Sequence, residues 1–323
     1  MPKKIRVAVI MGGPSTEHEV SLNTGKNVLK NIDRDRYSPE PVVISREEHW
    51  DVLVDELPKK YDVAFLAAHG SFGEDGTLQH DLDVVGVPYT GSRANVSALA
   101  MNKFASLRLL REAGFTVPPT MLLHDVEWQT SPSVVVKQIE WFTQPPYVIK
   151  PNRSGSSVGV HIIQELNDLS VALTSVFLTN RDVIVQPYIQ GTEVTCGVLD
   201  QGSSGTAYPL LPTEIIPNTG TFFDYDAKYK IGGAHEITPA RLSDGWINRI
   251  RFTAKAVHEF LGCRGFSRVD MIVGDDGELY VLEVNTIPGL TKTSLLPKAA
   301  KTYGILFPEL IHRIIQASFN THR

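Results

Sequence analysis

The segment Ser267-Arg-Val-Asp-Met-Ile-Val-Gly-Asp-Asp-Gly-Glu-Leu-Tyr-Val-Leu-Glu-Val-Asn285 decides the fold of its part of the chain. It predicts two antiparallel strands joined by Asp276-Gly277, because that dipeptide accepts the positive φ that a two-residue type I′ turn needs at both central positions. The strand partners that follow from this turn are Asp275 with Glu278, Asp270 with Glu283, and Arg268 with Asn285. Since side chains alternate between the faces of a strand, the last two pairs should project from one side of the sheet.

This charged face has two interpretations. Two carboxylates and an amide oxygen beside a guanidinium could hold a hard cation, since Mg²⁺ is usually bound by one or two carboxylates together with substrate phosphates. The same groups could equally form a cross-strand salt bridge on a solvated surface, because one side of an antiparallel sheet commonly faces water. The hairpin alone leaves both interpretations open.

Size and composition indicate the class of protein. With 323 residues the chain exceeds the usual limit of one hydrophobic core, so we expect two or three domains. The net charge of −5 argues against capture of nucleic acid or of an anionic membrane surface, and no apolar run approaches the ~20 residues of a membrane span. Cys196 and Cys263 are the only cysteines and offer no disulfide framework. These features predict a soluble cytoplasmic protein with no nucleic-acid or membrane partner.

The N-terminal part, roughly residues 1–95, has the pattern of a parallel α/β domain. Apolar runs near residues 5–11, 41–44 and 62–68 indicate buried strands, and a helix is expected to begin near Ser21. Ligands of such sheets bind beyond the carboxyl ends of the strands. Loops at those ends contain two candidate binding residues, Glu17 and His69.

The middle of the chain supplies further candidates. Apolar residues recur at helical spacing over Asn95–Ala113 and predict one helix, closed by Gly114, that carries Lys103. Lys150 ends a predicted strand and is followed by a glycine- and serine-rich loop at residues 151–159. Such a loop suits contact with phosphates because bare amides and hydroxyls approach oxygen closely, although a plain hairpin loop has the same composition.

Common signatures of nucleotide and zinc sites are missing from the sequence. It contains no G-x-x-x-x-G-K-[ST] loop, no G-x-G-x-x-G fingerprint, no H-E-x-x-H and no paired C-x-x-C. The two lysines, the Ser/Gly loop and the acidic hairpin remain. Together they predict ATP held between two β-rich domains rather than at a helix N-terminus.

Five motifs follow one another along the chain. They are Glu17-His-Glu-Val-Ser21, His69-Gly-Ser-Phe-Gly-Glu-Asp-Gly-Thr77, Lys150-Pro-x3-Gly-Ser-Ser-x-Gly159, Phe223-Asp-Tyr-Asp-Ala-Lys-Tyr229 and Glu283-Val-Asn-Thr-x-Pro-Gly289. In this order they resemble the motifs of the D-alanine–D-alanine ligase family, in the ATP-grasp superfamily. The resemblance covers about Ile5 to Ala300, which is nearly the whole chain.

The resemblance implies a three-domain ATP-grasp architecture of the α/β class. An N-terminal parallel α/β domain (1–95) would precede central (96–186) and C-terminal (187–323) α+β subdomains that clasp ATP, the last with the metal and substrate sites. The implied reaction joins two D-alanines through a D-alanyl phosphate, releases ADP and phosphate, and serves peptidoglycan synthesis in the cell wall. Two Mg²⁺ or Mn²⁺ ions and a cytoplasmic homodimer are implied as well.

By the same resemblance, the nucleotide-binding residues come from several segments. They are Lys103 and Lys150 at the α and β phosphates, Ser156 and Ser157 in the closing loop, Glu193 at the ribose, Gln186 near the adenine, and Lys228 in a second mobile loop. The family usually has an acidic residue where this chain has Gln186. The change weakens adenine selection only if the side chain, rather than the backbone, makes that contact.

The resemblance also assigns the chemistry. Asp270, Glu283 and Asn285 become metal ligands, while Arg268 and the amide of Gly289 stabilise the negative tetrahedral intermediate. On the substrate side, Glu17 binds the ammonium of the first D-alanine with His69 nearby, Ser156 and Tyr229 link Glu17 to the mobile loop, and Ser294 with the amide of Leu295 binds the carboxylate of the second D-alanine.

Two alternative functions remain beside this one. A related ligase could use D-serine or D-lactate as acceptor; Tyr229 argues against D-lactate, because the lactate enzymes carry a different loop there. A catalytically inactive nucleotide-binding homologue would have lost the acidic cluster or Arg268, and this sequence keeps all of them.

Overall fold

The computed structural model describes residues 3–155, 159–201, 206–217 and 234–319. Within these residues the strands form three sheets, each drawn from one continuous stretch of the chain. None of the helices in the described ranges is both long and apolar enough to cross a lipid bilayer.

The first sheet is parallel, with the strand order β2-β1-β3. Its strands are β1 (Ile5–Gly12), β2 (Tyr37–Ile44) and β3 (Val63–Leu66), and its helices are α1 (His18–Asn31), α2 (Leu57–Lys60) and α3 (Thr77–Val85), with a 3₁₀ turn at Val54–Glu56. Helix α1 begins three residues before the predicted start at Ser21. Strand β3 is buried throughout, as expected for a parallel sheet covered on both faces.

The single helix predicted over Asn95–Ala113 is wrong. Two helices, α4 (Ala94–Met101) and α5 (Lys103–Glu112), meet at Asn102, whose backbone (φ −84°, ψ 90°) is not helical. The Asn102 side chain caps α5, since its Oδ1 accepts hydrogen bonds from Ala105 N (3.1 Å) and Asn152 Nδ2 (3.0 Å). The break places Lys103 at the first position of α5.

The second sheet is antiparallel, with the order β4-β7-β5-β6. Its elements are β4 (Met121–His124), α6 (Asp125–Thr130), α7 (Pro132–Phe142), β5 (Tyr147–Pro151), β6 (His161–Ile163), a 3₁₀ turn at Leu166–Asp168, α8 (Leu169–Phe177) and β7 (Asp182–Pro187). Its apolar residues form a core of their own, which includes Ile139, Tyr147 and Leu173.

The third sheet is antiparallel, with the order β11-β10-β8-β12-β13 and with β9 also paired to β8. Its elements are β8 (Gly191–Gln201), β9 (Thr206–Pro209), β10 (Thr213–Pro217), β11 (Ala234–Ile237), α9 (Asp244–Leu261), β12 (Phe266–Gly274), β13 (Leu279–Asn285), α10 (Leu295–Thr302) and α11 (Phe307–Ser318). Ile10 of β1, Phe266 of β12 and Ile311 of α11 belong to one buried cluster, so the first and third sheets share a core.

The hairpin turn differs from its prediction by one residue. Gly274 N donates to Glu278 O at 2.8 Å, which leaves a three-residue loop over 275–277, and of these residues only Gly277 has a positive φ (84°). A β-bulge then restores the register, because Asp270 pairs with Glu283 but Met271 pairs with Val281. The predicted pairs of Asp270 with Glu283 and of Arg268 with Asn285 are confirmed, whereas the two-residue turn and the pair of Asp275 with Glu278 are wrong, because Glu278 bonds to Gly274.

The bulge also changes which residues of β13 face the core. On the N-terminal side of the bulge, Leu279 and Val281 are buried in the core. On its C-terminal side, Val284 is buried there. Leu282 and Glu283 are consecutive and both line a cavity on the opposite face. The extra residue in β13 therefore directs the Glu283 carboxylate toward the cavity and leaves the three-residue turn unchanged.

Candidate active site

Two cavities share a wall at the charged face of β12 and β13. The first, of about 110 Å³, is lined by residues that include Glu17, His69, Arg268, Asn285, Gly289, Ser294 and Leu295. The second, of about 300 Å³, is lined by residues that include Lys150, Gln186, Glu193, Glu214, Asp270 and Leu282. Lys103, Ser154, Gly155 and Glu283 line both.

Every described residue that the sequence predicts for the site lies in one of these two cavities or in their shared wall. Four predicted residues, Ser156, Ser157, Lys228 and Tyr229, lie outside the described residues. Residues far apart in the sequence, such as Glu17, Lys103 and Ser294, are therefore neighbours in space. Their individual roles stay predictions.

Asp270 lies on β12, between β8 and β13, and two side chains hold its carboxylate. Arg268 donates to it from Nε and Nη2, each at 2.8 Å, across two residues of the same strand. Thr195 of β8 donates from Oγ1 to Asp270 Oδ1 at 2.6 Å. The side chains of Arg268 and Asp270 are only 13% and 11% exposed. The interpretation as a solvated surface salt bridge is therefore wrong, because the pair faces a cavity.

Glu283 makes a second ion pair in the shared wall. Lys103 Nζ lies 3.2 Å from Glu283 Oε2 and donates to the backbone oxygen of Ser154 at 2.6 Å. Each carboxylate on this face therefore has a cation beside it, which offsets the cost of removing its charge from water. When a metal–phosphate ligand binds, its cation can pair with these carboxylates and its phosphates can pair with the lysine and the arginine. The net charge of the site then changes little.

The oxygen atoms of this face fit a hard cation that arrives with phosphates. Among the residues described, no three His, Cys, Asp or Glu side chains converge as a metal site by themselves. The predicted set has only two carboxylates, Asp270 and Glu283, plus the amide oxygen of Asn285, which also accepts a hydrogen bond from Ile287 N at 3.0 Å. Magnesium commonly takes one or two carboxylates and completes its shell with water and substrate phosphate, so the set suits a metal–nucleotide complex.

Glu17 is buried beside the first cavity with only 6% of its surface exposed. A Cβ built on Gly70 would lie 2.7 Å from Glu17 Oε2, and one built on Gly155 would lie 2.8 Å from the same atom. Both backbones can approach the carboxylate only because they carry no side chain. Glu17 thus lies between the loop after β3 and the loop after β5.

His69 lies in a buried polar network next to Glu17. Its Nε2 is 2.8 Å from Thr24 Oγ1 and its Nδ1 is 3.4 Å from Glu74 Oε1. Burial lowers the pKa of His69, but the hydrogen bond and charge of Glu74, together with the charge of Glu17, outweigh it and raise the pKa above its ordinary value. The His69 imidazole therefore keeps its proton to a higher pH than an ordinary histidine does. It lies beside Glu17, the carboxylate predicted to bind the ammonium group of the donor D-alanine.

Helix α10 is brought onto the sheet by a missing side chain in β8. A Cβ on Gly197, which pairs with Arg268, would lie 2.4 Å from Leu296 Cδ1. At the start of the helix, Ser294 Oγ accepts a hydrogen bond from Thr291 N at 3.0 Å, and a Cβ on Gly289 would lie 2.8 Å from that Oγ. The N-terminus of α10 therefore opens into the first cavity, where its dipole favours an anion.

The second cavity combines an apolar wall with fixed polar groups. Gln186 is 3% exposed, and its Nε2 donates to Thr120 Oγ1 at 2.8 Å. At the opposite strand, hydrogen bonds from Arg241 hold the pKa of the Glu214 carboxyl below its usual range despite its burial. A cavity of this size, largely apolar with a few placed polar groups, suits a planar base and its sugar.

Several residues at the site were not singled out from the sequence. Thr195 fixes Asp270 and lies two residues after Glu193, so strand alternation could have found it. Glu74 belongs to the motif that begins at His69 but was given no role there. The backbone oxygen of Ser154, which binds Lys103, has no signal in the sequence.

The family comparison agrees with this geometry. The profile described as D-ala D-ala ligase C-terminus matches residues 109–316, and the one described as D-ala D-ala ligase N-terminus matches residues 6–59 and 51–92. The chain belongs to the D-alanine–D-alanine ligase family. The resemblance on which the sequence interpretation rested is therefore confirmed.

Individual family members align over nearly their whole length. The chain is 41% identical to the D-alanine–D-alanine ligase of Geobacter sulfurreducens, over 97% of this chain and 94% of that protein. It is 39% identical to the ligase of the same name from Citrifermentans bemidjiense, over 98% and 97% of the two chains.

Solved structures of ligases in this family confirm the ATP-grasp fold. The VanG D-Ala:D-Ser ligase of Enterococcus faecalis has a TM-score of 0.86 and 33% identity, and the alignment covers 98% of this chain and 100% of that one. The D-alanine–D-alanine ligase of Bacillus anthracis complexed with ATP has a TM-score of 0.79 and 32% identity, with 98% of each chain covered.

Proposed function

We propose that this protein ligates two molecules of D-alanine to D-alanyl-D-alanine and converts ATP to ADP and phosphate in the process. The observation that carries the proposal is the shared wall of Lys103 and Glu283, which separates a cavity suited to a nucleotide from one suited to small zwitterions. This arrangement supports phosphate chemistry next to an amino-acid site. The relatives from Geobacter sulfurreducens, Citrifermentans bemidjiense and Bacillus anthracis, each called a D-alanine–D-alanine ligase, support the same conclusion.

The proposed roles of the residues rest on the family resemblance, and their charges and positions support them. ATP lies in the second cavity, with its phosphates toward Lys103 and Lys150. Asp270, Glu283 and Asn285 would hold Mg²⁺ or Mn²⁺, which would offset negative charge on the phosphates of ATP. In the first cavity Glu17 binds the ammonium of the donor D-alanine, with His69 near it. Ser294 Oγ and the amide of Leu295 bind the carboxylate of the acceptor.

Two displacement steps then complete the reaction. The donor carboxylate attacks the γ-phosphorus, the bond to ADP breaks, and Lys103, Lys150 and Arg268 offset the repulsion between the two anions. The amine of the acceptor attacks the acyl carbonyl of the D-alanyl phosphate, and inorganic phosphate leaves with the electrons of the broken C–O bond. Arg268 and the amide of Gly289 stabilise the tetrahedral oxyanion between these events.

D-Serine is a second candidate acceptor. The observation in its favour is that a D-Ala:D-Ser ligase aligns over 98% of this chain, with a TM-score of 0.86 and 33% identity. The sequence identities point the other way, since the named D-alanine–D-alanine ligases reach 41%.

A competition assay tests both candidates. Purified protein with ATP, Mg²⁺ and D-alanine should release phosphate and form D-alanyl-D-alanine, detected by mass spectrometry, while L-alanine should give no product. Equimolar D-serine or D-lactate is then added, and the ratio of products reports the acceptor. Absence of any dipeptide, with intact ATP binding, would refute the ligase proposal.

Assembly and location complete the proposal. We propose a cytoplasmic homodimer whose chain is organised as domains 1–95, 96–186 and 187–323. Sedimentation at micromolar concentration tests the dimer, and limited proteolysis near residues 95 and 186 tests the boundaries.

A further inference from the structure

Glu236 and Lys298 form an ion pair that the mechanism above does not use. Glu236 is on β11 and Lys298 is on α10, and Lys298 Nζ lies 2.5 Å from Glu236 Oε2. The Glu236 side chain is only 15% exposed and lines the first cavity, whereas the Lys298 side chain is 42% exposed. The carboxylate therefore faces both a lysine and the space assigned to the amino acids.

The position of the pair relates it to the acceptor. Lys298 follows Ser294 by one helical turn, and Lys298 N donates to Ser294 O at 3.4 Å, so the two residues lie on one face of α10. In an α-amino acid the nitrogen is attached to the carbon next to the carboxylate. A group that binds the acceptor nitrogen must therefore lie close to the group that binds its carboxylate, and Glu236 is tied to the same helix face.

We infer that Glu236 binds the ammonium group of the acceptor and selects amino acids over hydroxy acids, with Lys298 as a positioning residue for its carboxylate. This inference rests on the proposed function and names a specificity determinant within it. Glu17 serves the donor ammonium and Glu236 the acceptor ammonium, so each amino acid has its own carboxylate. A hydroxy acid offers only a neutral hydroxyl to Glu236 and forgoes the charge-assisted hydrogen bond.

The ion pair explains how a carboxylate can lie in this cavity without repelling the acceptor. Lys298 offsets the charge of Glu236, so the cavity does not repel the acceptor's own carboxylate at Ser294. When the acceptor binds, its ammonium joins Lys298 as a second cation beside Glu236. This contact orients the acceptor nitrogen, and transfer of one proton from the ammonium to Glu236 leaves the neutral amine that attacks the acyl phosphate.

The test is the kinetics of Glu236→Gln in the full-length protein. The KM of the acceptor phase with D-alanine should rise by about 10- to 100-fold, the usual effect of losing a charged hydrogen bond. The donor phase and ATP binding should be unchanged. In a mixture of D-alanine and D-lactate, the ratio of dipeptide to depsipeptide should fall by a similar factor.

Controls separate recognition from a structural role. Glu259→Gln removes a carboxylate from the surface pair with Lys255 and should change nothing. Glu236→Asp keeps the charge and should retain the preference for amines even if its KM rises. The double variant Glu236→Lys with Lys298→Glu keeps an ion pair but should not regain the acceptor KM.

The outcomes are distinct. An unchanged acceptor KM in Glu236→Gln, or full recovery in the double variant, would overturn the inference while leaving the ligase proposal intact. If wild-type protein forms no dipeptide, the proposed function itself fails. A loss of ATP binding in both Glu236→Gln and Glu236→Asp would identify the pair as structural and would also overturn the inference.

Discussion

At Glu283 a single side chain serves both cavities. Its carboxylate lies 3.2 Å from Lys103 Nζ, beside the bulge that directs it away from the core. We predict that Glu283→Gln reduces Mg²⁺-dependent phosphate release with D-alanine by about 100-fold or more, because the neutral amide is a much poorer ligand for a hard cation. Initial rates over a range of Mg²⁺ concentrations measure the effect.

The control for this change lies in the same hairpin. Glu278 pairs with Arg249 on the surface, with half of its side chain exposed, and Glu278→Gln should keep wild-type rates. Near-normal turnover of Glu283→Gln at low Mg²⁺ would contradict the metal assignment.

Gly70 and Gly86 allow a matched test of contact with Glu17. Both have a φ of 74°, so alanine strains the backbone at either position by about 1 kcal/mol. A Cβ at Gly86 would meet no atom within 4 Å, whereas a Cβ at Gly70 would lie 2.7 Å from Glu17 Oε2.

We therefore predict that Gly86→Ala lowers stability slightly and leaves the kinetics normal, while Gly70→Ala also raises the KM for donor D-alanine. Thermal unfolding and steady-state kinetics of the two variants measure this difference. Equal kinetics in both would mean that the position of Glu17 does not matter for donor binding.

At the scale of elements, two local irregularities direct charged groups into the site. The β-bulge of β13 brings Glu283 opposite Asp270 despite a three-residue turn, and the break at Asn102 places Lys103 at the start of α5. Neither irregularity can be recognised from the hydrophobic periodicity of the sequence. Hydrophobic periodicity continues across Asn102, so the break depends on a distant partner, Asn152.

The helix break gives a prediction at this scale. Asn102→Ala removes the cap of α5 and its bond to Asn152, so we expect a loss of about 1 kcal/mol in unfolding free energy together with a higher KM for ATP. Ser243→Ala removes the N-cap of α9, which accepts from Trp246 N, and should lower stability alone. If both variants bind ATP equally well, the cap does not position Lys103.

At the scale of the whole molecule, the first and third sheets are joined by their shared core and by a polar contact. Tyr37 Oη of β2 lies 2.7 Å from His312 Nδ1 of α11, and Gln316 Nε2 donates to the same Oη at 3.1 Å. The docked sheets bring Glu17 and Ser294 to the lining of the same first cavity.

The contact of His312 with Tyr37 makes the free energy of unfolding depend on pH. Burial, followed by the charge of Arg36, lowers the pKa of His312 in the folded state. The unfolded chain then binds the proton more readily, so this contribution to stability is present above the ordinary pKa of about 6.5 and is lost as the pH falls through the folded-state pKa. The free energy of unfolding should fall less between pH 7.5 and 5 in His312→Gln than in wild-type protein. Parallel curves for the two proteins would contradict this assignment.

The sequence by itself determined the helical or strand character of most segments, and it placed Asp270 opposite Glu283 and Arg268 opposite Asn285. Alternation in β12 and β13 assigned Arg268 and Asp270 to one face, and motif order was enough to identify the family. These features depend on periodicity and on residue types over short distances, where chirality and strand geometry leave few alternatives.

Only the tertiary structure decided which groups meet. The ion pairs of Lys103 with Glu283 and of Lys298 with Glu236 join residues that are far apart in the chain, and the bulge at Leu282 and the break at Asn102 were settled by packing and hydrogen bonds from other elements. The intrinsic helix and strand propensities of a continuous and an interrupted element differ by about 1 kcal/mol or less. Contacts with distant residues therefore outweigh these propensities.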